Sequence, residues 1–183
     1  LAKVTRTTFL KMCFEDGFVH ADLHPGNMLL ADDGDLVIFD VGLCKFLTPD
    51  LHLQLVDFAR CVAMGTAGDF VAHLRRFHTY MGDVDWDAVR RYAEAFAGRF
   101  RDGKAAEIEM GVFIKEVFEI ARKNHIQPLP EMTLILVGVV TAEGLSKRLA
   151  PDVNTFHEMA AFLMPLVARL GLGAAPATPA RAG

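Results

Sequence analysis

Apolar positions between residues 3 and 16 fall at Phe9, Leu10, Met12, Cys13 and Phe14, a spacing that predicts a helix ended by Gly17. A brief strand follows at Phe18–Val19, and Pro25 and Gly26 break regular structure over 20–27 to mark a loop. Two short apolar runs, Met28–Ala31 and Leu36–Phe39, flank Asp32-Asp33-Gly34-Asp35 and predict a β-hairpin, since Asp-Gly supplies the positive φ of a tight turn. Beyond Asp40 the period becomes helical. Thr48 caps a helix that begins at Pro49, and Leu51, Leu55, Phe58, Ala59 and Val62 recur along one face. Further helices are predicted at 69–81, 86–101, 107–124, 130–149 and 154–169. The Ala/Pro/Gly-rich stretch 171–183 is expected to be disordered.

The pattern describes an α+β chain, mainly α, in which one small hairpin sits among six to seven helices. At 183 residues, 52% hydrophobic and 23% charged, it is long enough for one core and excludes disorder for its bulk. The net charge of −4 lies entirely in residues 1–50, where eight acids face Lys3, Arg6, Lys11 and Lys45. An acidic first third suggests a site completed by cations, and the absence of a basic patch argues against a nucleic-acid partner. Cys13, Cys44 and Cys61 show no metal-ligand spacing and read as apolar fillers in a reducing, cytoplasmic setting. No signal-peptide core is visible. The apolar run Met132–Ala142 is too short to cross a bilayer, and 160–172, broken by Pro165 and Arg169, is expected either to pack on the core or to lie on a membrane surface.

Three hard oxygen donors stand in or beside the loops: Asp22, Asn27 and Asp40. Such donors suit Mg²⁺, which keeps waters and phosphate oxygens in its shell. Asp22 and Asn27 have the spacing of a kinase catalytic loop, and the hairpin leads to Asp40-Val41-Gly42, where that fold carries its D-F-G. By returning the chain, the hairpin lets Asp40 face Asn27 across one metal site. A lone D-x-G is common, and Asp22 and Asn27 are also ordinary turn-capping types. The joint pattern of H-x-D, Asn, hairpin and D-x-G is far more specific and points to phosphoryl transfer. His20 and His24 are four apart, but Pro25 and Gly26 exclude the helix that would aim both at zinc, so His20 reads as a loop-packing residue. The other histidines read as structural or exposed.

The stretch Phe18-Val19-His20-Ala21-Asp22-Leu23-His24-Pro25-Gly26-Asn27, followed by Gly34 through Asp40-Val41-Gly42, resembles the core of the UbiB/AarF atypical kinase family, usually H-A-D-P-H-P-G-N and then D-F-G. The resemblance continues through 51–64 and returns at 129–131 and from Glu143-Gly144 to Asn154. It implies a protein-kinase-like C-terminal lobe over 1–170. It also implies ATP and Mg²⁺ as cofactors, Asp22 as the catalytic aspartate, Asn27 and Asp40 as metal and nucleotide ligands, and His20, His24, Gly26 and Gly42 as supporting loop residues. The family is associated with ATP hydrolysis or phosphorylation supporting isoprenoid quinone (ubiquinone) biosynthesis and lipid metabolism. That makes a membrane lipid or quinone precursor an expected partner and a place peripheral to the membrane an expected location. Aminoglycoside phosphotransferases share an H-G-D-x-H-x-x-N loop, and Leu23 fits their pattern better, so a small-molecule phosphotransferase is the second reading; a non-catalytic pseudokinase scaffold is the third.

Two departures qualify the resemblance. Val41 replaces the D-F-G phenylalanine and leaves the aspartate intact. The family's K-x-G-Q extension, Ala-rich loop and lysine–glutamate pair have no counterpart, so the chain is expected to be a C-lobe whose partner is the N-lobe of the same parent. Each missing charge-assisted contact is worth roughly 1.5–3 kcal/mol. Three of them would weaken nucleotide binding about a thousandfold, which predicts negligible activity for the chain alone.

Overall fold

The computed structural model describes residues 2–101, 110–128, 130–149 and 154–172. Among them the chain is α+β and mainly helical, as the pattern predicts, with seven helices and three two-stranded antiparallel pairs. Helix α1 (Ala2–Phe14) ends before Gly17, whose φ of 63° turns the chain into β1 (Phe18–His20). A 3-10 turn at Pro25–Asn27 leads into β2 (Met28–Leu30) and β3 (Leu36–Ile38), which pair with Leu30 opposite Leu36. Gly34, at φ 94°, supplies the reversal. This is the expected hairpin.

The sequence pattern does not anticipate the other two pairs. Strand β4 (Cys44–Phe46) returns to β1, placing Cys44 opposite His20, and β5 (Thr79–Tyr80) pairs with β6 (Ile126–Gln127). The helix expected over 69–81 is α3 (Ala67–Phe77), and its predicted last turn is instead drawn into β5. The others lie close to expectation: α2 (Pro49–Met64), α4 (Trp86–Arg101), α5 (Met110–Lys123), α6 (Pro130–Leu149) and α7 (Thr155–Arg169). The positions 107–109 of the expected 107–124 helix, the segment 150–153 of the family-like stretch, and the tail from 173 onward lie outside the described residues.

Helix ends follow side-chain chemistry. Thr48 Oγ1 accepts from the Leu51 amide at 3.4 Å, and Thr66 with Asp69 forms a reciprocal capping box at the start of α3. The core runs through every helix. Phe113 on α5 is its aromatic hub, with ring centroids 4.4 Å from Phe96 and 6.0 Å from Phe156. In the apolar stretch 160–172, Leu163, Leu166 and Val167 of α7 are buried and α7 packs mainly on α2, while Met164 and Leu170 stand exposed. No described helix is long and apolar enough to cross a membrane.

The site-bearing loop is anchored from below. Val19, His20 and Leu23 are fully buried, each apolar side chain contributing about 1.5–3 kcal/mol, and α1 and α6 both pack against β1. The loop's outer face is open. Phe39, Val41, Leu43 and Phe46, around the base of the hairpin, are all exposed, Phe46 by 76%.

Candidate functional site

The loop between β1 and β2 gathers the polar residues that the motif singles out. Hydrogen bonds within the segment build it. The His24 carbonyl accepts from the Asn27 amide at 2.9 Å, and His24 Nδ1 accepts from the Gly26 amide at 3.0 Å, capping the 3-10 turn. Gly26 is constrained by that contact, because a Cβ there would stand 2.9 Å from His24 Cε1.

Asn27 is the pivot. It is 8% exposed, and its Nδ2 donates to the Asp22 carbonyl at 3.1 Å, which commits the amide nitrogen and leaves Oδ1 as the oxygen available to a cation. Its own carbonyl accepts from the Phe39 amide at 2.8 Å. That bond closes the base of the hairpin one residue before Asp40.

Asp40 has φ 52°, an uncommon conformation for a residue with a Cβ. Its Oδ1 accepts from the Gly42 amide at 3.1 Å, an Asx-type turn that holds the carboxylate at the surface. A Cβ on Gly42 would lie 3.0 Å from that oxygen, so glycine is what the turn accommodates. The charge of Asp40 also reaches Cys44, whose thiol is pushed up chiefly by partial burial and further by that carboxylate.

Asp22 is half-exposed, and its Oδ2 lies 3.7 Å from His24 Nε2. Its amide donates to His20 Nδ1 at 3.3 Å. His20 is completely buried, and its Nε2 has no hydrogen-bond partner among the described residues. The reading of His20 as a loop-packing residue therefore agrees with its place. His24, by contrast, is exposed and beside Asp22.

The oxygen donors of Asp22, Asn27 and Asp40 suit a hard divalent ion such as Mg²⁺, with the exposed His24 ring the basic group beside Asp22. A second cluster does not. Asp57, Cys61 and His73 lie within 4.8 Å of one another in the interior, but Arg60 already supplies the positive charge, donating to Asp57 Oδ1 at 3.0 Å and to Cys61 Sγ at 3.2 Å. Burial pushes the Cys61 thiol up to about 12, which keeps it protonated. Burial also keeps His73 neutral. Asp57 stays ionised despite burial, because His73 and Arg60 both hydrogen-bond to it. This network ties α2 to α3 rather than forming a reactive centre.

The sequence pattern passes over Gly138, which lies inside the apolar run of α6 and approaches the backbone of His20 and Ala21. A glycine within a helical apolar run is the only signal the sequence carries of it.

With this geometry in view, comparisons with known proteins fall into line. Residues 1–68 match the ABC1 atypical kinase-like domain, and residues 93–154 match the UbiB helical domain. The chain is 25% identical over 154 residues to the "uncharacterized protein in hydrogenase 1 5′region" of Clostridium pasteurianum, covering 84% of this chain and 29% of that protein. It is 28% identical over 155 residues to the uncharacterized protein sll1770 of Synechocystis, covering 84% of this chain and 26% of that one. A second Synechocystis protein, sll0095, is 28% identical over 163 residues, with coverage of 86% and 28%. The chain thus spans less than a third of the length of these curated relatives. No solved structure matches it.

Proposed function

Because the chain belongs to the UbiB/ABC1 atypical kinase-like family, we propose that it carries the magnesium-binding and catalytic loop of an ATP-dependent phosphotransferase or ATPase. The observation that carries this reading is the double tie through Asn27, from its amide to the Asp22 carbonyl and from its carbonyl to the Phe39 amide. It ties Asn27 to the Asp22 loop and to the strand end that leads into Asp40, which supports reading the three as one site.

In this reading Asn27 Oδ1 and the Asp40 carboxylate would hold Mg²⁺ together with a nucleotide. The bound ion supplies neutralisation of the phosphate charge. The Asp22 carboxylate orients the attacking hydroxyl or water and accepts its proton. His20 and the Gly26 turn hold the loop. The Asx turn to Gly42 orients Asp40.

The remaining nucleotide contacts are proposed to come from polypeptide outside these 183 residues, as the N-lobe of the same parent. Two observations support this: the chain covers less than a third of each relative, and an apolar rim of Phe39, Val41, Leu43 and Phe46 stands exposed around the base of the hairpin. By family association, the acceptor is proposed to be a lipid or quinone precursor at a membrane surface facing the cytoplasm. The match to the UbiB helical domain favours this over an aminoglycoside-type enzyme.

The test is Mg²⁺-dependent phosphate release from ATP by the full-length protein, with Asp22→Ala and Asp40→Asn beside it. Each variant is expected to lose activity by at least about a hundredfold while remaining folded. Folded variants that retain the wild-type rate would instead favour a non-catalytic scaffold.

A further inference from the structure

We propose that Gly138 is a positioning residue for the Asp22 loop, so that α6 sets where the catalytic aspartate stands; this rests on the phosphoryl-transfer reading above. The inner face of α6 buries Met132, Ile135, Leu136 and Ala142. Helical spacing puts Gly138 between Ile135 and Ala142 on that face. It is buried, and its two nearest neighbours across the interface are main-chain atoms. A Cβ at Gly138 would stand 3.2 Å from the His20 carbonyl oxygen, 3.3 Å from Ala21 Cα and 3.7 Å from Val19 Cγ1.

Those first two distances are tighter than ordinary packing, and backbone atoms cannot rotate aside as a side-chain tip can. A methyl group there requires either α6 or the His20–Ala21 backbone to shift by a few tenths of an ångström. The loop has little slack to absorb the shift. Val19, His20 and Leu23 are fully buried, and the Ala21 amide donates to the Leu43 carbonyl at 2.9 Å, holding the strand from its other side.

The disturbance therefore travels to the next residue. Asp22 is covalently attached to Ala21, its amide is bonded to His20 Nδ1, and its carbonyl is bonded to the Asn27 side chain. Both site residues ride on the segment that Gly138 touches. Where a reaction depends on placement of groups, such small displacements cost rate rather than fold. Glycine is a poor helix residue in itself, so the close approach also gives a reason for its presence in mid-helix.

The experiment compares Gly138→Ala and Gly138→Val with Gly144→Ala in the full-length protein. Gly144 lies on the same helix, and a Cβ there would meet nothing within 4 Å. Thermal midpoint, hydrogen exchange over residues 18–28 and steady-state ATP turnover are read together. Gly138→Ala should lower kcat about fivefold to tenfold with KM for Mg-ATP within about twofold, while the thermal midpoint falls only slightly because alanine's helix preference offsets part of the crowding. Loop exchange should rise, and Gly138→Val should show both effects more strongly. Gly144→Ala should raise the midpoint alone. Unchanged kcat in Gly138→Ala from an active wild type overturns the inference, as does a loss that Gly144→Ala shares. A folded wild-type protein without turnover overturns the functional reading and this inference with it.

Discussion

The side-chain amide of Asn27 bonds to the main-chain carbonyl of Asp22 across 3.1 Å, so the residue proposed as metal ligand also fixes the loop that carries the proposed base. One side chain thereby has two separable duties. Asn27→Ala removes both and is expected to lower ATP turnover by at least about a hundredfold. Asn27→Asp keeps an oxygen donor, but its carboxylate cannot donate to the Asp22 carbonyl. It should therefore retain Mg²⁺ affinity within about tenfold while kcat stays low, a split that Mg²⁺ titration of steady-state rates reads directly.

Gly42 offers a gentler handle on the same site. A Cβ there would lie 3.0 Å from Asp40 Oδ1 and displace the carboxylate from its turn. Gly42→Ala is expected to weaken Mg-nucleotide binding about tenfold, with no loss of thermal stability because the residue is exposed. Calorimetric binding beside a melting curve checks both halves.

Acid sensitivity should come from the histidines in and just after α3, His73 and His78. Burial, with the neighbouring His73 adding to it, pulls the His78 imidazole down to about 4, and the two rings lie 5.6 Å apart. The unfolded chain takes up that proton near the ordinary histidine value of about 6.5. The stability is thus complete above about pH 6.5 and is lost as pH falls towards about 4, amounting to up to about 2 kcal/mol at pH 5. His73, lowered mainly by its own burial, acts in the same direction. Urea denaturation at pH 7.5 and pH 5 should show this drop in the wild type and a smaller one in His78→Phe. An equal drop in both would contradict the assignment.

The interior ion network should matter to stability and not to chemistry. Asp57 pairs with His73 Nδ1 at 2.8 Å and with Arg60 at 3.0 Å. Asp57→Ala leaves the buried His73 Nδ1 without its acceptor and Arg60 with Asp69, at 3.7 Å, as its remaining carboxylate, and is expected to cost about 3 kcal/mol in urea denaturation. A loss below about 1 kcal/mol would show that the network contributes little.

The sequence made the site legible because its parts are local. Asp22 and Asn27 share one loop, and the Asp-Gly hairpin that returns to Asp40 has its own turn chemistry. Helices with a sustained period were equally plain, and α4 and α6 begin and end where their patterns do. What the pattern hid depends on distant partners. Thr79 and Tyr80 leave the helical period only because Gln127 and Ile126 pair with them, and Cys44–Phe46 become a strand only beside β1. The Asp57–His73 bond joins two helices, so His73 looked like one of several scattered histidines. Gly138 hid in the same way, since a close backbone approach leaves no mark on one sequence beyond a small residue in an apolar run.

The central claim is that Asn27 and Asp40 form the metal end of a nucleotide site. Calorimetric titration of Mg-ADP into the full-length protein, with Asp40→Asn alongside, tests it most directly. The account predicts saturable, Mg²⁺-dependent heat in the wild type and at least about tenfold weaker binding in a folded Asp40→Asn variant. Equal affinity in the two proteins, or no binding by a folded wild type up to millimolar nucleotide, would contradict it.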